Sequence, residues 1–299
     1  MSGAGQAGEA AQIRYFANGP LAEAQALYAR LDSAFEDEGF PLSIFETDEE
    51  KALHEVSLYA PVDDDTAEHR FLTLLKEAAP ALAFGSEVLP EIDWVSHTLA
   101  GLKPVAAGPF LVHGAHDRVK RRAGQIPIEI EAGLAFGTGH HGTTAGCLEV
   151  MARVAQRENP RRILDLGTGS GVLAIGMAKL LRRPVLATDI DPVATRVAVA
   201  NARLNGVAGL VRTATATGMG SPAIRNTAPY DLIIANILAR PLIGLAPSIA
   251  KSVAPGGSII LSGILASQRR AVISAYAGQH FAHISTIWRE GWVTMHFQR

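Results

Sequence analysis

RRILDLGTGSGVLAIGMAKLL, residues 161–181, reads as a buried strand, a glycine-rich turn and an apolar helix in immediate succession. Gly167, Gly169 and Gly171 space the turn. Glycine lets the backbone turn tightly and approach a ligand with no side chain between, beside the free N–H groups of a helix N-terminus. The spacing narrows the ligand. The dinucleotide pattern G-x-G-x-x-G would need glycine at 172, where Val172 stands, so the order here is G-x-G-x-G and a nicotinamide dehydrogenase is disfavoured. Asp165, just before the first of these glycines, would repel a pyrophosphate. It suits the cationic sulfonium and ammonium of S-adenosylmethionine, directly or by ordering the loop and water.

Strands and helices alternate outward from this turn. PVLATDI (184–190) is a second strand, and Asp189 at its end lies 22 residues after Gly167, placed to accept both ribose hydroxyls of a nucleoside. Pro192 opens a helix that runs to Asn205-Gly206. GLVRTAT (209–215), YDLIIAN (230–236) and GGSIILSG (256–263) are further strands, followed by a helix over 267–278 and two last strands near 281–288 and 292–298. The pattern predicts an α/β domain: a doubly wound, mostly parallel sheet of seven strands with one antiparallel member, binding its ligand at the carboxyl ends of the strands. After the fourth strand comes Asn236-Ile237-Leu238-Ala239. Amino methyltransferases often place Asn or Asp, two prolines and an aromatic there, so that the side-chain oxygen and a backbone carbonyl accept from the acceptor nitrogen. No aromatic follows Asn236, so nothing obvious stacks a base or a planar amide. An aliphatic amine needs no such platform.

Upstream, Ala135 to Thr144 (AFGTGHHGTT) forms a glycine-rich loop able to cover a ligand, with Thr143 and Thr144 capping the next helix. Adjacent His140 and His141 do not direct both rings at one ion, and His113, His116 and Asp117 read as polar loop residues, so no metal is expected. Cys147, the single cysteine, lies in an apolar helix and reads as core.

The 299 residues suffice for two domains. Residues 1–105 read as βαββαβ, an α+β ferredoxin-like domain. They hold 19 Asp and Glu against 6 Lys and Arg, whereas 106–299 hold 10 against 21, so a net charge of −2 conceals an acidic module joined to a basic one. Such a module repels nucleic acid and attracts a Lys-rich protein. Residues 106–125 read as a linker and 126–299 as the catalytic domain. No apolar run is long enough to span a bilayer and the first residues carry no secretory signal, which implies a cytoplasmic protein.

LAFGTGHHGTT, ILDLGTGSGVLAIGMAKL, TDIDPVA, ANILARPL and LSGILASQ together resemble the PrmA family, methyltransferases of the large-subunit ribosomal protein at the stalk base. The last two segments are the distinctive ones. The resemblance implies a class I S-adenosylmethionine-dependent methyltransferase, with Thr144, Gly167, Asp189 and Asn236 around the donor, to which Asp165 and Gly169 of the turn are added. It also implies that Asn236 orients the acceptor and that the N-terminal domain grips a basic ribosomal protein, methylated on lysine side-chain and N-terminal α-amines. A monomer without direct nucleic-acid recognition is expected. The alternatives are an amino methyltransferase of another protein or of nucleic acid, and a non-catalytic S-adenosylmethionine-binding or ribosome-assembly protein.

Overall fold

The computed structural model describes residues 12–35, 38, 40–48, 53–89, 104–115, 124–130 and 141–299. The chain divides into two compact units, 1–98 and 99–299.

The first unit runs β1 (Gln12–Pro20), α1 (Leu21–Ala34), β2 (Leu42–Asp48), β3 (Leu53–Pro61), α2 (Ala67–Ala78) and β4 (Ala83–Leu89). Its strands pair antiparallel in the order β2-β3-β1-β4. Spacing explains the helices. Ala24, Leu27, Tyr28 and Leu31 fall on one face of α1 and are all buried. Asp64 sets the start of α2, its Oδ1 accepting the N–H groups of Thr66 (2.9 Å) and Ala67 (3.2 Å). Arg14 on the central strand bridges Glu55 on β3 (3.0 Å) and Glu87 on β4 (2.8 Å).

The second unit opens with a small sheet, β5 (Val105–Ala107), β6 (Phe110–His113) and β7 (Ile126–Glu129). Helix α3 (His141–Glu158) precedes the main sheet. There follow β8 (Ile163–Leu166), α4 (Val172–Leu181), β9 (Val185–Asp189), α5 (Pro192–Leu204), β10 (Val211–Thr215), α6 (Pro222–Arg225) and β11 (Tyr230–Asn236). The chain ends with α7 (Ala239–Ser252), β12 (Val253–Leu265), α8 (Arg269–Ala277), β13 (Ala282–Arg289) and β14 (Trp292–Gln298). Seven strands lie in the order β10-β9-β8-β11-β12-β14-β13. All neighbours are parallel except those of β14, which runs antiparallel to both β12 and β13.

Strand β11 shows why helices cover both faces. Leu232 and Ile234 pack into one core with Leu148, Met151 and Ile175, while Ile233 and Ala235 point into the other with Leu242, Ile249 and Phe297. Each Ile there is fully buried, contributing about 1.5–3 kcal/mol. Helix α7 forms although Pro247 lies inside it. Chain order reverses between β8 and β11, so the crevice beyond their carboxyl ends is a switch point. The turn after β8 and the turn after β11 flank that crevice.

Candidate functional site at the carboxyl ends of β8, β9 and β11

The glycine turn is tied down by its neighbours. The N–H groups of Gly167 and Thr168 donate to the Thr188 carbonyl at 2.8 and 2.9 Å, fastening the turn to β9. Gly167, Gly169 and Gly171 all have positive φ, a region costly for other residues. Asn201 of α5 reaches across to donate to the Ser170 carbonyl at 2.8 Å. Nothing in the local sequence around Asn201 announces this contact.

Asp165 is wholly buried under the turn. Its Oδ2 accepts the Thr168 hydroxyl (2.6 Å) and the Ala174 N–H (3.1 Å), which orders the turn against the first residues of α4. Its Oδ1 is buried with no hydrogen-bond partner among the described residues. Burial pushes the carboxyl up to about 6, with the Asp189 charge adding to the rise and the two hydrogen bonds opposing it.

Asp189, ending β9, accepts the Gly169 N–H on Oδ2 at 2.8 Å and the Asp191 N–H on Oδ1 at 3.1 Å. The cap of α5 is its neighbour Asp191, which accepts the Val193 N–H at 2.7 Å. Asp189 is therefore not used to start the helix. Each of its oxygens keeps a further lone pair at the strand end.

Asn236 ends β11, half-buried, and its side-chain amide makes no hydrogen bond among the described residues. Ile237 leans over the turn: a Cβ on Gly167 would stand 2.3 Å from Ile237 Cγ2. The two turns are thus in contact. Asn236 pairs in register with Ser262 of β12, and Ser262 Oγ lies 3.5 Å from the Thr143 carbonyl in the first turn of α3. Thr144, the next residue, is buried at the same end of the sheet. Gly167, Asp189, Asn236 and Thr144 accordingly gather at one edge.

The other candidates fall elsewhere. Residues 131–140, which include most of the glycine-rich loop and His140, lie outside the described residues, as do His116 and Asp117. His113 closes β6, buried, with Nδ1 2.9 Å from the Gly114 carbonyl, rather than standing in a polar loop. Among the described residues no group of three His, Cys, Asp or Glu side chains is set to hold a metal. Cys147 is buried, and that burial pushes its thiol up to about 12. No helix of the described residues is long and apolar enough to cross a membrane.

The family model of ribosomal protein L11 methyltransferase (PrmA) matches residues 22–299. The chain belongs to that family. It is similar to the ribosomal protein L11 methyltransferase of Mesorhizobium japonicum, 60% identical over 284 residues, 95% of this chain and 98% of that one. Identity to the Chelativorans sp. protein of the same name is 58% over 288 residues, 96% and 99% of the two chains. The crystal structure of a ribosomal protein L11 methylase from Lactobacillus delbrueckii subsp. bulgaricus superposes with a TM-score of 0.60 at 29% identity, over 66% of this chain and 98% of that one. The sheet of this PrmA-family chain is that of the class I methyltransferases, and S-adenosylmethionine is the methyl donor. The site fits that donor: glycines line the turn, Asp189 offers acceptors at the strand end, and the orphaned Asp165 oxygen supplies negative charge for a cation.

Proposed function

We propose that the protein methylates amines of ribosomal protein L11, on both lysine side chains and the N-terminal α-amine. The observation that carries this reading is the half-buried Asn236 amide, without a hydrogen-bond partner among the described residues and joined through Ile237 to the glycine turn. A side-chain oxygen there accepts from an N–H of the acceptor and aims its lone pair toward the donor. The short aliphatic Ile237 and Leu238 replace an aromatic platform, which suits an aliphatic amine over a base.

S-adenosylmethionine, when bound, supplies an electrophilic methyl on a sulfonium. The chain's own residues supply position. Asp189 accepts from the ribose hydroxyls, the turn at 167–171 approaches the donor through backbone, and Thr144 borders it from α3. Asp165 holds Thr168 and Ala174 in place and sets negative potential beneath a cationic ligand. Attack requires a neutral nitrogen. A lysine amine ordinarily titrates near about 10.4 and an α-amine near about 7.7–8.0, so the α-amine needs far less help to lose its proton. No His, Asp or Glu is assigned as base. The proton leaves to water before methyl transfer, and orientation by Asn236 provides most of the acceleration.

Residues 1–105 act as the recognition domain and 126–299 as the catalytic domain, to whose core Ala107 and Phe110 of the joining segment 106–125 belong. The excess of carboxylates in the first segment steers a basic ribosomal protein toward the enzyme, a monomer with no direct contact to nucleic acid. Incubating the full chain with labelled S-adenosylmethionine and a cell extract tests the reading. Label on a single basic ribosomal protein is expected. Label on RNA, or on no macromolecule, overturns it.

A further inference from the structure

The segment LSGILASQ, 261–268, is distinctive in the sequence, yet none of it belongs to the donor or acceptor set above. Its structure gives it work. Ser262 pairs in register with Asn236, bonds the Thr294 hydroxyl at 2.8 Å and lies 3.5 Å from the Thr143 carbonyl. Gly263 has φ +79°, and a Cβ built there would stand 2.6 Å from Ile237 O, 2.9 Å from Ile237 C and 3.1 Å from Ile237 N. Those are backbone atoms, and no rotamer change moves them away. Gln268 accepts the Leu265 N–H at 3.0 Å, closing the segment.

The peptide of Ile237 is therefore held between two glycines. Gly167 makes room for its side chain from the β8 side, and Gly263 makes room for its backbone from the β12 side. Because Asn236 is the residue before it, the direction of the Asn236 side chain follows from where this peptide sits.

We propose that Gly263 is a positioning residue for methyl transfer: by admitting the Ile237 backbone against β12 it sets the acceptor-orienting Asn236 relative to the donor turn. Ser262 ties the same point to the first turn of α3. This rests on the reading of Asn236 as the acceptor-orienting group. A shift of about 1 Å at a positioned reacting group is enough to lower turnover about a hundredfold. Donor binding depends on the turn at 167–171 and Asp189, to which none of the atoms nearest a Cβ on Gly263 belongs.

The test is a double-mutant cycle on the full chain, with purified ribosomal protein L11 as acceptor and calorimetry with S-adenosylhomocysteine for the donor site. Gly263→Ala is expected to lower kcat at least tenfold while donor affinity stays within about twofold. Combined with Asn236→Ala, it is expected to add little to the loss caused by Asn236→Ala alone, because it acts through that residue. Gly263→Asn separates the causes: asparagine tolerates positive φ but keeps the Cβ, so it is expected to be as slow as alanine. Recovery with asparagine, wild-type kcat in Gly263→Ala, or full additivity in the cycle overturns the proposal. If neither variant folds, the glycine is a requirement of the sheet and the proposal also fails. Should the wild-type chain not methylate the acceptor, the reading of the function fails instead. A slow Asn236→Ala beside a fast Gly263→Ala refutes this inference alone.

Discussion

Replacing Asp189 by alanine removes a carboxylate whose oxygens hold the Gly169 and Asp191 N–H groups at 2.8 and 3.1 Å. The Asp191 amide is exposed and water takes over its bond, whereas the Gly169 amide belongs to a buried residue, so folding loses about 1–3 kcal/mol. Donor binding loses more. Two ribose hydroxyls donating to one carboxylate are together worth roughly 2–4 kcal/mol. At 1.4 kcal/mol per decade, the dissociation constant of S-adenosylhomocysteine is expected to rise roughly 30- to 700-fold. Asp191→Ala is the matched control. It removes the cap of α5, costing about 1 kcal/mol of stability, and leaves donor affinity within a few-fold. Calorimetry on both variants reads the difference. Equal affinities for Asp189→Ala and wild type, or an equal loss in both variants, would refute the assignment of the strand-end carboxylate to the donor.

Asn236→Ala is expected to lower kcat on ribosomal protein L11 at least a hundredfold with little change in donor affinity, read by steady-state kinetics beside calorimetry. Gly171→Ala places a Cβ at φ +85° and 3.1 Å from the Ala198 Cβ, so denaturant unfolding should show a loss of about 1–3 kcal/mol. Burial raises Asp165 from 3.8 to about 6. Between those values the folded chain keeps a proton that the unfolded chain has released, so this group's contribution is present below about 4 and lost as pH rises through about 6. Relative to Asp165→Asn, wild-type stability should fall across that window by of order 3 kcal/mol, and parallel stability curves would contradict it. Rising salt should raise KM for the protein acceptor far more than it lowers kcat, because exposed carboxylates act over about 8–10 Å.

The parts of the site that are local in sequence were legible there. The glycine turn, Asp189 at a strand end and Pro192 at a helix start each state their conformation through their own residue types. Asp191 settles the one ambiguity, since two acids precede the helix and only the structure shows which of them caps it. Helix α7 was harder to read. Pro241, Gly244 and Pro247 weaken its periodic signal, and the face burying Leu242, Ala246 and Ile249 against the sheet overrides that local cost. The strands of β5 to β7, three or four residues long, are too short for an alternating pattern to register. Gly263 could not be read at all. Its reason lies in the Ile237 backbone on a neighbouring strand end, far away in the chain. Asn201 and Ser170 are similar, joined only once α5 packs beside the turn.

The proposed chemistry is methylation of aliphatic amines on one ribosomal protein, guided by Asn236. Tandem mass spectrometry of purified ribosomal protein L11, after incubation with S-adenosylmethionine and either wild-type chain or Asn236→Ala, tests it most directly. Methyl groups on lysine side chains and on the N-terminal α-amine are expected with wild type, and almost none with the variant. Unmodified amines after incubation with a folded, donor-binding wild-type chain, or equal modification by both chains, would contradict it.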